Sequence, residues 1–412
     1  MLYMQEVKNK RLSLGDLLIL IIIAALTFMI IPAWVPFLRK GWVLLIVAML
    51  IILLNCRNCI SARAVIVLLG YEIIVFLNAL LGDAYFDTWT SAIYEFLILF
   101  VPLSLALYCT KGGNERFVRS LVYITFIGLV FELIASFLVL KTNPGMIRGL
   151  YLMSKEEGGV NFMYRFYKLG LMDYSMGHAI PLLIGPLVYY FKEGSRKEKW
   201  ICLLLIIACI FLVWLAESAT ALLLMILIIF TSFMIDKKAS LKKNVFIILL
   251  MVLVAVVLMS NDSIIGGIFD VSGRLVKNDA IYAARIEDLR MSLMEDKISG
   301  DVKGRMNLYG QSIDMFSGYG IILGSNQMPG RHSGFLDRFA SLGLIGFIPL
   351  FFFFFFSLKT IWISLPKSRR IYYLESIVAA LLMLSFKAMW LWPVFLFLYV
   401  IAPCILIMNK KG

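Results

Sequence analysis

Runs of apolar residues broken by short polar stretches recur along the whole chain. Most are long enough to cross roughly 30 Å of hydrocarbon as helices rising about 1.5 Å per residue. Together with their breakers they predict about twelve spans, at roughly 14–36, 42–55, 63–82, 89–109, 119–140, 176–191, 200–216, 219–235, 244–260, 335–357, 371–388 and 391–408. Length alone divides one pair. The stretch 200–235 would be a helix of about 54 Å, nearly twice the membrane, so it is read as two helices jointed at Ala216-Glu217-Ser218-Ala219-Thr220. The first apolar run is too long for a signal-peptide core and is read as the first span. The expected fold is therefore all-α: one polytopic membrane domain over residues 1–412.

Two long polar segments interrupt the pattern, at 141–175 and 261–334. In the second, Ile286, Leu289 and Leu293 recur at helical spacing. A further short helix passes through Tyr309, Ile313 and Phe316 and ends at Gly318 or Gly320.

Composition agrees with a membrane chain. Of 412 residues 61% are hydrophobic and 16% charged, against about 45–50% and about 25% in soluble domains. A formal charge of +13 raises the possibility of nucleic acid, but the basic residues sit at the ends of spans. Alternate connections carry Lys8, Lys10 and Arg11; Arg57 and Arg63; Lys111, Arg116 and Arg119; Lys192, Arg196, Lys197 and Lys199; Lys237, Lys238, Lys242 and Lys243; Lys359, Lys367, Arg369 and Arg370; then Lys410 and Lys411. The short connections between them carry only Arg39, Lys40 and Lys387. That asymmetry places both termini in the cytoplasm and both long loops outside the cytoplasmic (inner) membrane. Neither long loop contains any of the six cysteines, so no disulfide framework supports them. The Cys56-Arg57-Asn58-Cys59 pair lacks a second ligand pair and reads as two ordinary cysteines.

Candidate chemistry gathers in the second loop. The chain has two histidines, His178 and His332. His332 lies just before the tenth span, where Ser333 is placed to cap the helix. Histidine is the side chain best matched to taking a proton near neutral pH. His178 opens the sixth span and reads as a helix-start residue. Arginine is suited to a diphosphate, because its planar fork meets two oxygens and stays charged. Arg305, Arg331 and Arg338 are the first candidates, with Arg148 and Arg165 in the other long loop. Arg338 lies within a span, where an ionisable group is by default a functional hypothesis; the alternative is an interfacial pair with Asp337. No phosphate-binding GxxxxGK[ST] loop, HExxH motif or carboxylate cluster with metal-ligand spacing occurs in a span, and no metal or cofactor is expected.

The segment from Gly304 to Gly346 resembles the signature region of the O-antigen polymerase and O-antigen ligase superfamily. The resemblance rests on Gly304-Arg305 with Tyr309, Gly318-Tyr319-Gly320, His332-Ser333, Phe335-Leu336 and Gly343-Leu344-Ile345-Gly346, in that order. Where many relatives carry Ser-Arg between paired helices, this chain has Glu217-Ser218-Ala219-Thr220. The resemblance implies a metal-independent glycosyltransferase that joins polyprenyl-diphosphate-linked oligosaccharide repeat units on the extracytoplasmic side. Its products would be O-antigen, capsule or exopolysaccharide. It further implies His332 and Arg305 as catalytic residues, and Arg331, Arg338, Arg148, Arg165 and Tyr309 as holders of diphosphate and sugar. Membrane lipid, a chain-length regulator and a flippase are the implied partners; nucleic acid is not. The alternatives are the ligase, which shares the loop, and a lipid-linked-sugar flippase or transporter, for which Glu72, Glu95 and Glu132 in or near spans are the supporting features.

Overall fold

The computed structural model describes residues 12–28, 41–55, 62–82, 86, 88–112, 115–142, 174–215, 218–236, 242–247, 249–250, 300–317, 320–325, 327 and 329–408. Every regular element among them is helical. In chain order these are α1 (Leu14–Phe28), α2 (Gly41–Asn55), α3 (Ala62–Leu80), α4 (Trp89–Leu107), α5 (Glu115–Thr142), α6 (Tyr174–Ala179), α7 (Pro181–Glu193), α8 (Arg196–Leu215) and α9 (Ala219–Met234). Then come α10 (Gly300–Ser317), α11 (Gly320–Leu323), α12 (Gly334–Ser364), α13 (Arg370–Phe386), α14 (Trp392–Leu396) and α15 (Ala402–Ile407). Wider π-helical turns at Tyr108–Gly112 and Phe397–Ile401 extend α4 and join α14 to α15. Residues 242–247 are also helical.

A helix lies in every expected interval that the described residues cover; 244–260 is described only as far as residue 250. Among the described residues four helical stretches are long and apolar enough to cross a membrane: Arg63–Leu80, Trp89–Thr110, Glu115–Val139 and Gly334–Ser364. The protein is an all-helical, membrane-embedded chain, and its burial pattern has the matching form. The described side chains of α7 are buried from Pro181 to Tyr190, and those of 394–406 are buried throughout, so these two segments form the centre. Around them, α3, α5, α8, α9 and α12 each bury one face and expose leucine, isoleucine and phenylalanine on the other. Helices apolar on every side, with the outer face left uncovered, are what a hydrocarbon solvent selects.

Polar groups inside the bundle are matched one by one. Pro186 in α7 has no N–H, which leaves the Leu182 carbonyl without its helical partner. The Ser376 hydroxyl of α13 donates to that carbonyl at 2.6 Å. One turn along, Gly185 makes room for Glu375, since a Cβ there would stand 2.7 Å from Glu375 Oε2. Thr231 donates to Glu375 Oε1 at 2.8 Å and Ser232 donates to Oε2. Lys192 Nζ covers the C-terminal carbonyls of α9 at Ser232, Phe233 and Ile235 (3.3, 3.2 and 2.5 Å). At the other end of the bundle, α10 and α11 pack on α12, and α12 packs on α3 and α13.

Candidate functional site

The site is built around the start of α12. Ser333 is its N-cap, with extended backbone, and the Ser333 hydroxyl accepts the Leu336 N–H at 3.1 Å, as the sequence predicts. Asp337 answers by accepting the Ser333 N–H at Oδ2, at 3.0 Å. Its Oδ1 takes the Ser312 hydroxyl of α10 at 2.8 Å. Ser312 Oγ in turn accepts the Gly330 N–H at 2.9 Å. A buried carboxylate thus ties α10, the loop before α12 and α12 itself into one unit.

His332 lies in that loop, partly buried, with its ring 5.7 Å from the Tyr309 ring and tilted 57° to it. Tyr309 is on α10, and its hydroxyl donates to the Phe386 carbonyl at the end of α13, at 2.8 Å. The Gly334 N–H donates to the Lys387 carbonyl at 3.0 Å. Arg331, next to the histidine, is exposed and holds a backbone φ of +55°, in the left-handed region that a residue with a Cβ seldom enters.

The glycines bring the rest of the motif together. Residues 320–325 cross α12 where that helix is broken at Gly343 (φ 60°, ψ −164°). The two backbones meet without side chains between them. A Cβ on Gly324 would stand 1.8 Å from the Ser341 carbonyl oxygen, and one on Gly343 would stand 2.5 Å from Gly324 N. Ser325 N donates to the Ala340 carbonyl at 3.0 Å, one of the groups the break releases.

Arg338 goes elsewhere. The alternative interfacial pair with Asp337 does not form among the described contacts, because Asp337 is engaged by Ser312 and Ser333. Arg338 instead reaches into the bundle and is buried. Its Nε and Nη2 donate to Glu95 Oε1 and Oε2 of α4 at 2.7 and 2.6 Å, and Nη1 donates to Gly334 O at 3.1 Å. The guanidinium lies 3.7 Å over the Trp390 ring. Tyr71 of α3 donates to Glu95 Oε1 at 2.8 Å. Beside this group, Oε1 of Glu72 and Nε1 of Trp390 are buried with no hydrogen-bond partner among the described residues.

The structure therefore gathers Tyr309, Arg331 and His332 at one end of the bundle and sets Arg338 a turn deeper, paired with a carboxylate. Arg305 occupies the α10 position one turn before Tyr309; its side chain lies outside the described part. Arg148 and Arg165 lie outside the described residues, as does the helix expected around 286–293. The α10 helix is longer than expected and begins at Gly300. His178 is buried in α6, and its Nε2 lies 2.8 Å from Ser218 Oγ at the joint between α8 and α9. Among the described residues no three His, Cys, Asp or Glu side chains gather as a metal-binding group.

Asp337, Ser312 and Trp390 carry weight in this geometry that no sequence signal assigns them. Glu95 is visible in the sequence as a carboxylate in an apolar run, but its partner is 243 positions away. No protein-family model and no curated protein matches the chain.

Proposed function

We propose that this chain is a polytopic glycosyltransferase of the cytoplasmic membrane. In this reading it has about twelve spans and both termini inside, and it polymerises polyprenyl-diphosphate-linked oligosaccharide units at its extracytoplasmic face. The observation that carries the reading is the gathering of Arg331 and His332, on one turn, with Tyr309 of α10 beside them at the end of a membrane bundle. A polar backbone at a membrane needs internal support, and here the glycine crossing and the Asp337 carboxylate supply it.

The chemistry follows from the side chains. A sugar hydroxyl of the acceptor unit gives its proton to the His332 imidazole as its oxygen bonds to the anomeric carbon of the donor. The bond from that carbon to the diphosphate oxygen breaks, and the lipid diphosphate leaves with the electron pair. Arg305 and Arg331, with Arg148 and Arg165 from the other loop, are the cations for its developing charge. Arg338, paired to Glu95, supports the turn from below in the state described.

The test is direct. Purified protein incubated with lipid-linked repeat units yields a ladder of chain lengths on a gel. His332→Ala and Arg305→Ala each remove the ladder while the protein stays in the membrane. A wild-type ladder from His332→Ala protein defeats the mechanism.

One observation favours a second reading, a flippase or transporter of lipid-linked sugars. The broken helix at Gly343 and the buried Glu95–Arg338 pair are features that transporters also use. Proteoliposomes separate the two. A flippase moves labelled lipid-linked units between leaflets and leaves them monomeric, whereas a polymerase lengthens them.

A further inference from the structure

Asp337 is buried at the centre of the turn that carries Arg331 and His332, and the chemistry above makes no use of it. Its carboxylate accepts from Ser312 Oγ (2.8 Å) and from the Ser333 N–H (3.0 Å). Ser312 adds the Gly330 N–H at 2.9 Å. Two N–H groups of the loop, at 330 and 333, thus close on one carboxylate and its hydroxyl partner, with Arg331 and His332 in the span between them. We propose that Asp337, with Ser312, is a positioning pair that fixes the backbone course of residues 330–333 and so sets where Arg331 and His332 face substrate. The proposal rests on His332 being the reacting base.

Two further observations fit this role. Arg331 keeps φ +55°, and a strained backbone of that kind persists only where its surroundings over-determine it. A carboxylate suits the task because it only accepts, so it can take the Ser312 O–H and the Ser333 N–H at once. Its two donors lie on different elements, the Ser312 hydroxyl on α10 and the Ser333 N–H at the start of α12. Loss of the pair would free the loop from both helices without removing any group that touches substrate.

The full-length protein in detergent provides the test, with two readouts. His332 and His178 are the only histidines, and His178 is fully buried. Diethyl pyrocarbonate modification followed by peptide mass spectrometry therefore reports His332. Asp337→Asn and Ser312→Ala are each expected to change the rate of His332 modification severalfold. Both are also expected to lower kcat for ladder formation by about 10- to 100-fold with KM little changed, as for a misplaced reacting group. Ser312→Thr, which keeps the hydroxyl, stays near wild type. Arg331→Gly added to Asp337→Asn restores the modification rate, because glycine takes the left-handed conformation without the clasp. If Asp337→Asn and Ser312→Ala both match wild type in modification rate and in kcat, the positioning role is wrong and the polymerase reading is untouched. If modification shifts as expected but even wild-type protein makes no ladder, the positioning stands and the reaction assigned to His332 falls.

Discussion

A guanidinium buried in a membrane bundle is held there by whatever matches its charge and its N–H groups, and for Arg338 that is Glu95. The pair is bidentate, backed by a tyrosine hydroxyl and an indole face. Pairing of this quality offsets desolvation but leaves little surplus, so the net worth of the pair is small while the loss of one member is large. Glu95→Leu should therefore lower stability by about 3–5 kcal/mol, because an unmatched cation remains inside. The triple change Tyr71→Phe/Glu95→Leu/Arg338→Met removes the charges and the stranded hydroxyl together, and should cost less than Glu95→Leu alone. Thermal unfolding in detergent measures both. Losses that simply add would show that the two charges do not depend on each other. Arg338 stood out in the sequence because an ionisable residue interrupts an apolar run. Glu95 stood out for the same reason, but the pairing of the two did not, because a contact across 243 positions leaves no local periodicity to read.

At the scale of elements, Gly324 and Gly343 of the 304–346 segment have a packing explanation. Gly343 takes a φ and ψ that only glycine tolerates, and the broken helix there receives the backbone of 322–324 at contact distance. Gly343→Ala or Gly324→Ala must push two main chains apart, and either should destabilise the protein well beyond the ~1 kcal/mol of an ordinary substitution. Gly310 in α10 is the control. A Cβ there meets nothing within 4 Å, so Gly310→Ala should be neutral or should stabilise α10 by up to about 1 kcal/mol. Detergent-solubilised yield and melting temperature distinguish the two outcomes. The order of the motif was visible in the sequence because short glycine-bearing strings survive as text. That Gly324 lies against Gly343 was not, because the close approach depends on how α11 folds back, and four helical residues carry no periodic signal. The same limit applies to Asp337, which reads as half of an interfacial pair with Arg338 until Ser312 is found beside it from another helix.

For the whole molecule, apolar run length and breakers were enough to predict an all-helical membrane chain, since hydrocarbon tolerates few other solutions. The length of α12 then bears on how the site sits. It runs for 31 residues, and the part after the break at Gly343 would rise about 32 Å, close to the roughly 30 Å of a hydrocarbon core. In the proposed topology that match would set the break at one membrane interface and the turn at 330–333 just beyond it. In the proposed topology the lysine and arginine asymmetry picks the interface: Lys367, Arg369 and Arg370 follow the far end of α12, so the histidine turn would face away from the cytoplasm. Both ends offer an exposed residue for a direct check, Arg331 at one and Lys367 at the other. In a background with all six cysteines replaced, Arg331→Cys should react with a membrane-impermeant maleimide added to cells with an opened outer envelope. Lys367→Cys should react only after the membrane is permeabilised. The opposite pattern would place the histidine turn among cytoplasmic sugar nucleotides, where lipid-linked repeat units awaiting polymerisation are not expected, and would remove the basis for a polymerase.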